Sequence, residues 1–232
     1  MILVTGASKG IGWGICQALL QDGQKVIGTF SSTKVENLPK SDNLKWKYLN
    51  FQQKNSVERL LEELVADGIK VNYLVNNAGV AQKKYLLDLT EEDWSVIFEI
   101  NFFGPVKLLV NLTKSGNLKR AVNITSVSAT TGGTQQPHYA ASKAALLNYT
   151  KSFANFSNEH GVIVNAVAPG LINTEMLSNL NDETELSEAI SLIPVRRIGT
   201  PTDVANVVKH LLLDNSGYIN GQTITINGGK HV

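Results

Sequence analysis

Tyr139 and Lys143 stand four residues apart in the stretch YAASKAALLNYTKSF, residues 139–153, which reads as a helix. Side chains at i and i+4 share a helix face, so a phenol and an ammonium are set side by side near that helix's start. A free phenol holds its proton up to a pKa of ~10, too high to cycle easily near neutrality. A neighbouring ammonium stabilises the phenolate and lowers that value. The pair therefore has the chemistry of a proton donor to an oxygen atom. Ser126 adds a hydroxyl at the end of the apolar run NITS, with Ser128 as its neighbour. Asn101 is an amide inside the apolar stretch VIFEINFFGPVKLL, and a buried amide needs partners. Pro105, four residues on, has no N–H, so the Asn101 carbonyl loses its helical donor and is free to hold a water.

A second group of residues suits a phosphate. TGASKGIG contains Gly6, Gly10 and Gly12 between a strand-like run, MILVTG, and a helical one, GIGWGICQALLQDG. Glycines there permit a tight turn, close approach of a pyrophosphate to the backbone, and close helix–sheet packing. The helix N-terminus faces the phosphates with free N–H groups and a positive dipole. Gly14 lies inside that helix, at a cost of ~1 kcal/mol against alanine, and close packing on the sheet would explain it. An acidic residue ~20 positions after the glycines would bind the ribose of NAD. No Asp or Glu occurs from Gly23 to Val35; Ser31, Ser32 and Lys34 stand there instead, with Lys9 in the glycine turn. Hydroxyls and an ammonium suit a 2′-phosphate, so NADP(H) is favoured over NAD(H).

The elements that must position these groups alternate. Strand-like runs at MILVTG, KVIGTF, LKWKYLNF, VNYLVNNAG, RAVNITS, VIVNAVAPG and QTITING are separated by helical patterns. One of these, TEEDWSVIFEINFFGPVKLLVNLTK, opens with a capping box from Thr90 to Asp93. Strand–helix alternation with apolar strands predicts an α/β fold, a parallel sheet with helices on both faces. No repeat or linker divides residues 1–232, so a single domain is expected.

Composition narrows the rest. The 232 residues are 43% hydrophobic and 18% charged, with net charge +1, which makes no electrostatic case for nucleic acid or an anionic membrane. No apolar run approaches the ~18 residues of a membrane span, and the start lacks a secretory pattern, so a cytoplasmic protein is expected. The one cysteine, Cys16, sits in an apolar helical stretch and reads as a buried small hydrophobe. None of the four histidines lies at a metal-ligand spacing from another His or from Cys, so no metal is expected.

Taken together these motifs resemble the short branch of the short-chain dehydrogenase/reductase family, over nearly the whole chain. TGASKGIG is similar to its glycine turn, and NNAG at Asn76–Gly79 to its fourth-strand motif. Asn101, Ser126, Tyr139 and Lys143 match its catalytic tetrad. Pro169–Gly170 with Thr174 resembles its nicotinamide-side loop, and GQTITINGG its C-terminal segment. The resemblance implies a single-domain Rossmann fold with a seven-stranded parallel sheet, a nicotinamide cofactor, and hydride transfer to or from a small carbonyl or alcohol. It implies a homodimer or homotetramer. Tyr139 would be the general acid, Ser126 would polarise the substrate oxygen, and Lys143 would also hold the nicotinamide ribose. Asn101 would hold a water of a proton relay, and Pro105 departs from the family pattern. The implied cofactor contacts are Gly6, Ser8, Lys9, Gly10, Ile11, Gly12, Ser31, Ser32, Asn50, Phe51, Asn77, Ala78 and Gly79, then Tyr139, Lys143, Pro169, Gly170, Ile172 and Thr174. Asn50 and Phe51 replace an acidic and a small apolar residue common in relatives.

On the substrate side the resemblance implies a lid at about residues 174–195. It carries Glu175, Asp182, Glu183, Glu185 and Glu188 and no Lys or Arg from Leu171 to Val195, which would discourage anionic substrates. VIGTFSSTK and PHYAASKAALLNYTKSFANF resemble 3-oxoacyl-acyl-carrier-protein reductases. An acidic carrier protein would want basic residues near the cleft, for which Lys114, Lys119 and Arg120 are candidates. Two other readings stay open: a dinucleotide-binding sensor without turnover, and an NAD-dependent alcohol dehydrogenase.

Overall fold

A computed structural model describes residues 1–175, 183–213 and 216–230. Seven strands form one parallel sheet: β1 (Ile2–Val4), β2 (Val26–Phe30), β3 (Leu44–Tyr48), β4 (Tyr73–Asn76), β5 (Arg120–Ile124), β6 (Ile163–Pro169) and β7 (Thr223–Ile226). The spatial order is β3-β2-β1-β4-β5-β6-β7, with every neighbouring pair parallel. This is the doubly wound arrangement, with its topological switch between β1 and β4, where such sheets hold ligands at the carboxyl ends of the strands.

The helices are α1 (Gly10–Gln21), α2 (Ser56–Ala66), α3 (Glu91–Phe98), α4 (Gly104–Lys114), α5 (Ser128–Thr131), α6 (Pro137–Phe156), α7 (Glu183–Ser191) and α8 (Pro201–Leu213). Strand side chains alternate between two cores. Ile2, Val4, Val75 and Val122 meet Ile15 and Leu19 of α1 and Val208 and Leu211 of α8. Leu3, Ile27, Leu74 and Ala121 meet Leu60 of α2, Leu109 of α4 and Phe153 of α6. Burial of both faces is why the central strands read as continuous apolar runs.

Three sequence expectations change in detail. Gly14 packs against a helix, not the sheet: a Cβ there would lie 2.5 Å from Cβ of Pro201, where α1 meets α8. The helix holding Tyr139 starts two residues earlier, at Pro137, whose fixed φ suits a first helical position. The long helix over 91–114 is continuous but has a π-helical turn at Glu99–Phe103, where the Gly104 N–H reaches the Glu99 carbonyl. The capping box forms, with Thr90 Oγ1 accepting from the Asp93 N–H at 3.3 Å. By length and composition this run could cross a membrane, yet Leu108, Leu109 and Leu112 are buried in the second core.

Candidate active site

Three elements deliver the proposed tetrad to one place. Ser126 follows the end of β5, Tyr139 and Lys143 lie on the first two turns of α6, and Asn101 lies in the π-helical turn. Ser126 draws the pKa of the Tyr139 phenol downward, as a hydroxyl donor beside it would. Lys143 is buried, with its Nζ 5.9 Å from the Tyr139 ring centroid and donating to the Ile124 carbonyl at 2.9 Å. Gly79 makes room for the group: a Cβ there would lie 3.1 Å from both Asn101 Oδ1 and Lys143 Nζ.

The Asn101 amide is fully engaged. Its Oδ1 accepts from the Val80 N–H at 2.9 Å, and its Nδ2 donates to the Val80 carbonyl at 2.9 Å and to Ser142 Oγ at 3.0 Å. The Ser142 hydroxyl in turn donates to the Tyr139 carbonyl at 2.7 Å. Asn101 therefore ties the segment after β4 to α6 through its side chain. Pro105 has no N–H for the Asn101 carbonyl, and the π-helical turn just before it is how the helix continues without a break.

The protonation chemistry differs from the expectation drawn from spacing. Burial pushes the Tyr139 phenol above its ordinary range, and Ser126 works the other way. Lys143 is itself lowered to about 8 by burial. Burial thus outweighs the downward pull expected from a neighbouring ammonium, and the group that draws the phenol's value down is Ser126.

The glycine turn is a cradle of bare backbone. Gly6 has φ +60°, and a Cβ there would lie 2.8 Å from Cα of Ala78. A Cβ on Gly12 would lie 2.3 Å from the Gly6 carbonyl oxygen and 2.5 Å from Asn77 Nδ2. Asn77 Nδ2 donates to the carbonyls of Thr5 and Gly6 at 2.9 and 3.1 Å, which locks β4's end onto the turn. Ile11 packs on the first core, and α1 begins at Gly10, directly after the turn that leaves β1 at the switch point. On the far side, Gly10 lies 3.5 Å, by its would-be Cβ, from a Thr174 methyl. Ile172 is buried and bridges Gly199, and the Gly170 N–H donates to the Ile226 carbonyl at 2.8 Å. The Pro169 carbonyl accepts from the Val127 N–H at 3.0 Å. This fits a dinucleotide: a phosphate-accessible turn at one end, and the Ser126–Tyr139 pair with the Pro169–Thr174 loop at the other.

The comparisons with known proteins agree with that geometry. A family model described as enoyl-(acyl carrier protein) reductase matches residues 6–231. The 3-oxoacyl-acyl-carrier-protein reductase FabG of Vibrio cholerae is 37% identical over 236 residues, covering 99% of this chain and 96% of that protein. The chain belongs to the short-chain dehydrogenase/reductase family. FabG of Escherichia coli is also 37% identical, over 237 residues, with the same two coverages. A solved structure of 4-hydroxyisoleucine dehydrogenase complexed with NADH superposes with a TM-score of 0.91 at 25% identity, over 99% of this chain and 97% of that one. As a short-chain dehydrogenase/reductase, the protein is an NAD(P)-dependent oxidoreductase.

The reductase places its remaining predicted residues less uniformly. Ser31 and Ser32 are exposed after β2, and Ser8 Oγ accepts from the Thr33 hydroxyl at 2.8 Å. Lys9 Nζ lies 3.0 Å from Glu175, joining the glycine turn to the start of the lid segment. Asn50 Oδ1 caps the following turn, accepting from the Gln52 N–H at 3.0 Å. The Phe51 ring is buried in the second core, against Gly104. The ring is therefore packing. Within the lid region, α7 spans Glu183–Ser191, and Asp182 lies outside the described residues.

The basic residues suggested for a carrier protein are not near the cleft. Lys119 and Arg120 precede and open β5, whereas Ser126 follows its far end; Lys114 ends α4. Arg120 donates to the Leu211 carbonyl and to Ser216 at 3.3 and 3.0 Å.

Sequence reasoning missed Thr5, Thr33 and Ser142. Thr5 Oγ1 accepts from the N–H groups of Asn77 and Ala78 at 3.0 and 2.9 Å. A hydroxyl at the end of an otherwise apolar strand was the available signal for Thr5.

His138, beside Tyr139, is buried, and neither ring nitrogen has a hydrogen-bond partner. It stacks edge-on with Trp94, 6.1 Å between centroids. Burial lowers its pKa; Asp93 pulls it up and Lys84 pushes it down by smaller amounts. A lowered folded-state value means the unfolded chain takes up the proton first as pH falls. Stability is therefore expected to decline below about pH 6.5, the unfolded value. Melting curves between pH 7.5 and 5.5 should show a smaller loss in His138→Leu than in the parent. Equal slopes would remove His138 from the acid response.

Proposed function

We propose that the protein is an NADPH-dependent carbonyl reductase, with a 3-oxoacyl thioester as the leading substrate and Tyr139 as general acid. The observation that carries this reading is the placing of Ser126 and Tyr139 together, with buried Lys143 beside the phenol ring, across the strand ends from the glycine cradle. When bound, the nicotinamide supplies hydride to the carbonyl carbon. Ser126 polarises the carbonyl oxygen by donating a hydrogen bond, and Tyr139 delivers the proton to it. Asn101 positions Val80 and Ser142 around the pair, while Lys143 supports the phenolate that remains.

The 3-oxoacyl substrate is supported by the names and the extent of the FabG relatives. NADPH is supported by Lys9, Ser31, Ser32 and the lack of a carboxylate after β2. The solved neighbour that holds NADH is the comparison on the other side. A cytoplasmic location fits the same relatives. Self-association into a dimer or tetramer is supported by the aromatic row that runs from the π-helical turn along α6, where Phe103 and Phe156 are both more than half exposed.

The test is oxidation of NADPH and NADH, at equal concentration, with an acetoacetyl thioester and a panel of ketones, with light scattering of the same samples. Thioester turnover with NADPH at least about tenfold above NADH is expected, one 2′-phosphate contact to a charged group being worth that much. Turnover of ketones alone would move the substrate elsewhere, and an NADH preference would overturn the cofactor reading.

A further inference from the structure

A serine hydroxyl has one hydrogen to give and two lone pairs to fill. At Ser126 both lone pairs are occupied by one residue. The Ser128 backbone N–H donates to Ser126 Oγ at 3.2 Å, and the Ser128 hydroxyl donates to it at 2.9 Å. The hydrogen of Ser126 is then left to point away from Ser128. The Tyr139 phenol is the neighbouring group that Ser126 acts on, drawing its pKa down as a donor would.

We propose that Ser128 is a positioning residue for the reaction, one that aims the Ser126 hydrogen at the substrate oxygen by filling both acceptor sites behind it. The inference rests on the reading of Ser126 and Tyr139 as the groups that meet the carbonyl.

The surrounding turn is built to hold that aim. The Val127 N–H donates to the Pro169 carbonyl at 3.0 Å, which ties the turn to the end of β6. The hydroxyls of Thr130 and Thr131 both donate to the Val127 carbonyl, at 3.0 and 3.2 Å. The Gly132 N–H closes α5 on the Ser128 carbonyl at 3.0 Å. Ser128 is thus fixed through its own backbone before any substrate arrives.

A fixed donor matters because charge develops on the substrate oxygen as hydride reaches the carbon. Donors aligned in advance need no reorientation at that moment. Without the Ser128 hydroxyl, one lone pair of Ser126 is left open, and its hydrogen can rotate away. No bond is made or broken at either serine. Hydride arrives at carbon, the Tyr139 proton arrives at oxygen, and the serines keep their own hydrogens throughout.

The test compares Ser128→Ala, Ser128→Thr and Tyr139→Phe with the parent in steady-state reduction across a pH series. Ser128→Ala is expected to lower kcat about three- to tenfold, the value of one hydrogen bond, with KM for NADPH and the melting temperature unchanged. The alkaline limb assigned to Tyr139 should move to higher pH, because a wandering Ser126 stabilises the phenolate less. Ser128→Thr, which keeps the hydroxyl, should restore kcat to within about twofold, well inside the range expected for losing the bond. An inactive Tyr139→Phe beside a fully active Ser128→Ala with an unmoved limb would overturn the role of Ser128 alone. A fully active Tyr139→Phe would overturn the underlying reading, and this inference with it.

Discussion

Tyr139→Phe should reduce kcat by ~100-fold or more while leaving the melting temperature and cofactor affinity near the parent values. The substitution removes one oxygen from a ring that stays in place on α6. Ser126 is the side chain that draws the phenol's pKa down, so losing the hydroxyl takes at most that one polar contact from the fold. A ~100-fold loss corresponds to ~2.7 kcal/mol of barrier, more than the ~1 kcal/mol that an ordinary hydrogen bond contributes to stability. The two effects are therefore separable by measuring turnover and thermal melting on the same preparation. A variant that kept more than about a tenth of the parent rate would deny Tyr139 the general-acid role.

Gly12→Ala should have the second-largest effect, and on a different quantity. The added methyl would sit 2.3 Å from the Gly6 carbonyl oxygen and 2.5 Å from Asn77 Nδ2, and both are backbone or backbone-tied groups with little room to give. Overpacking of this kind costs about 1–3 kcal/mol, and here it falls on the turn that meets the pyrophosphate. The expected result is at least ~10-fold weaker NADPH binding by fluorescence titration, since 1.4 kcal/mol is tenfold. The melting temperature should fall as well. An alanine variant that bound NADPH as the parent does would show that the cradle tolerates a side chain, and that the close approach is not what makes it.

Much of this was readable from residue type and order. The central strands announced themselves because they are covered on both faces, while β3 and β7 at the two edges alternate polar and apolar residues. Glycines 6, 10 and 12 stood out because they lie between a strand and a helix, and Asn101, Ser126, Tyr139 and Lys143 because they match a family pattern in order and spacing. What stayed hidden depends on partners far away in sequence. Gly14 looks like a sheet contact until Pro201 is found against it. Thr5 looks like ordinary strand residue until Asn77 and Ala78 donate to it. The sign of the Tyr139 shift could not be taken from its distance to Lys143 in sequence, because burial of both side chains decides it. The position of Lys119 and Arg120 follows from strand direction: in a parallel sheet, residues that open β5 lie opposite the crevice at its end.

Cys16 lies wholly inside the seam between α1 and α8, with its thiol pushed up to about 12 by burial. It is the only sulfhydryl in the chain. Alkylating reagents attack the thiolate, so at neutral pH the folded molecule offers them almost nothing. Labelling must wait until the seam parts and the sulfur meets water. The rate of thiol labelling is thus a built-in clock for the opening of this helix pair, set by the local free energy of that opening and needing no engineered probe.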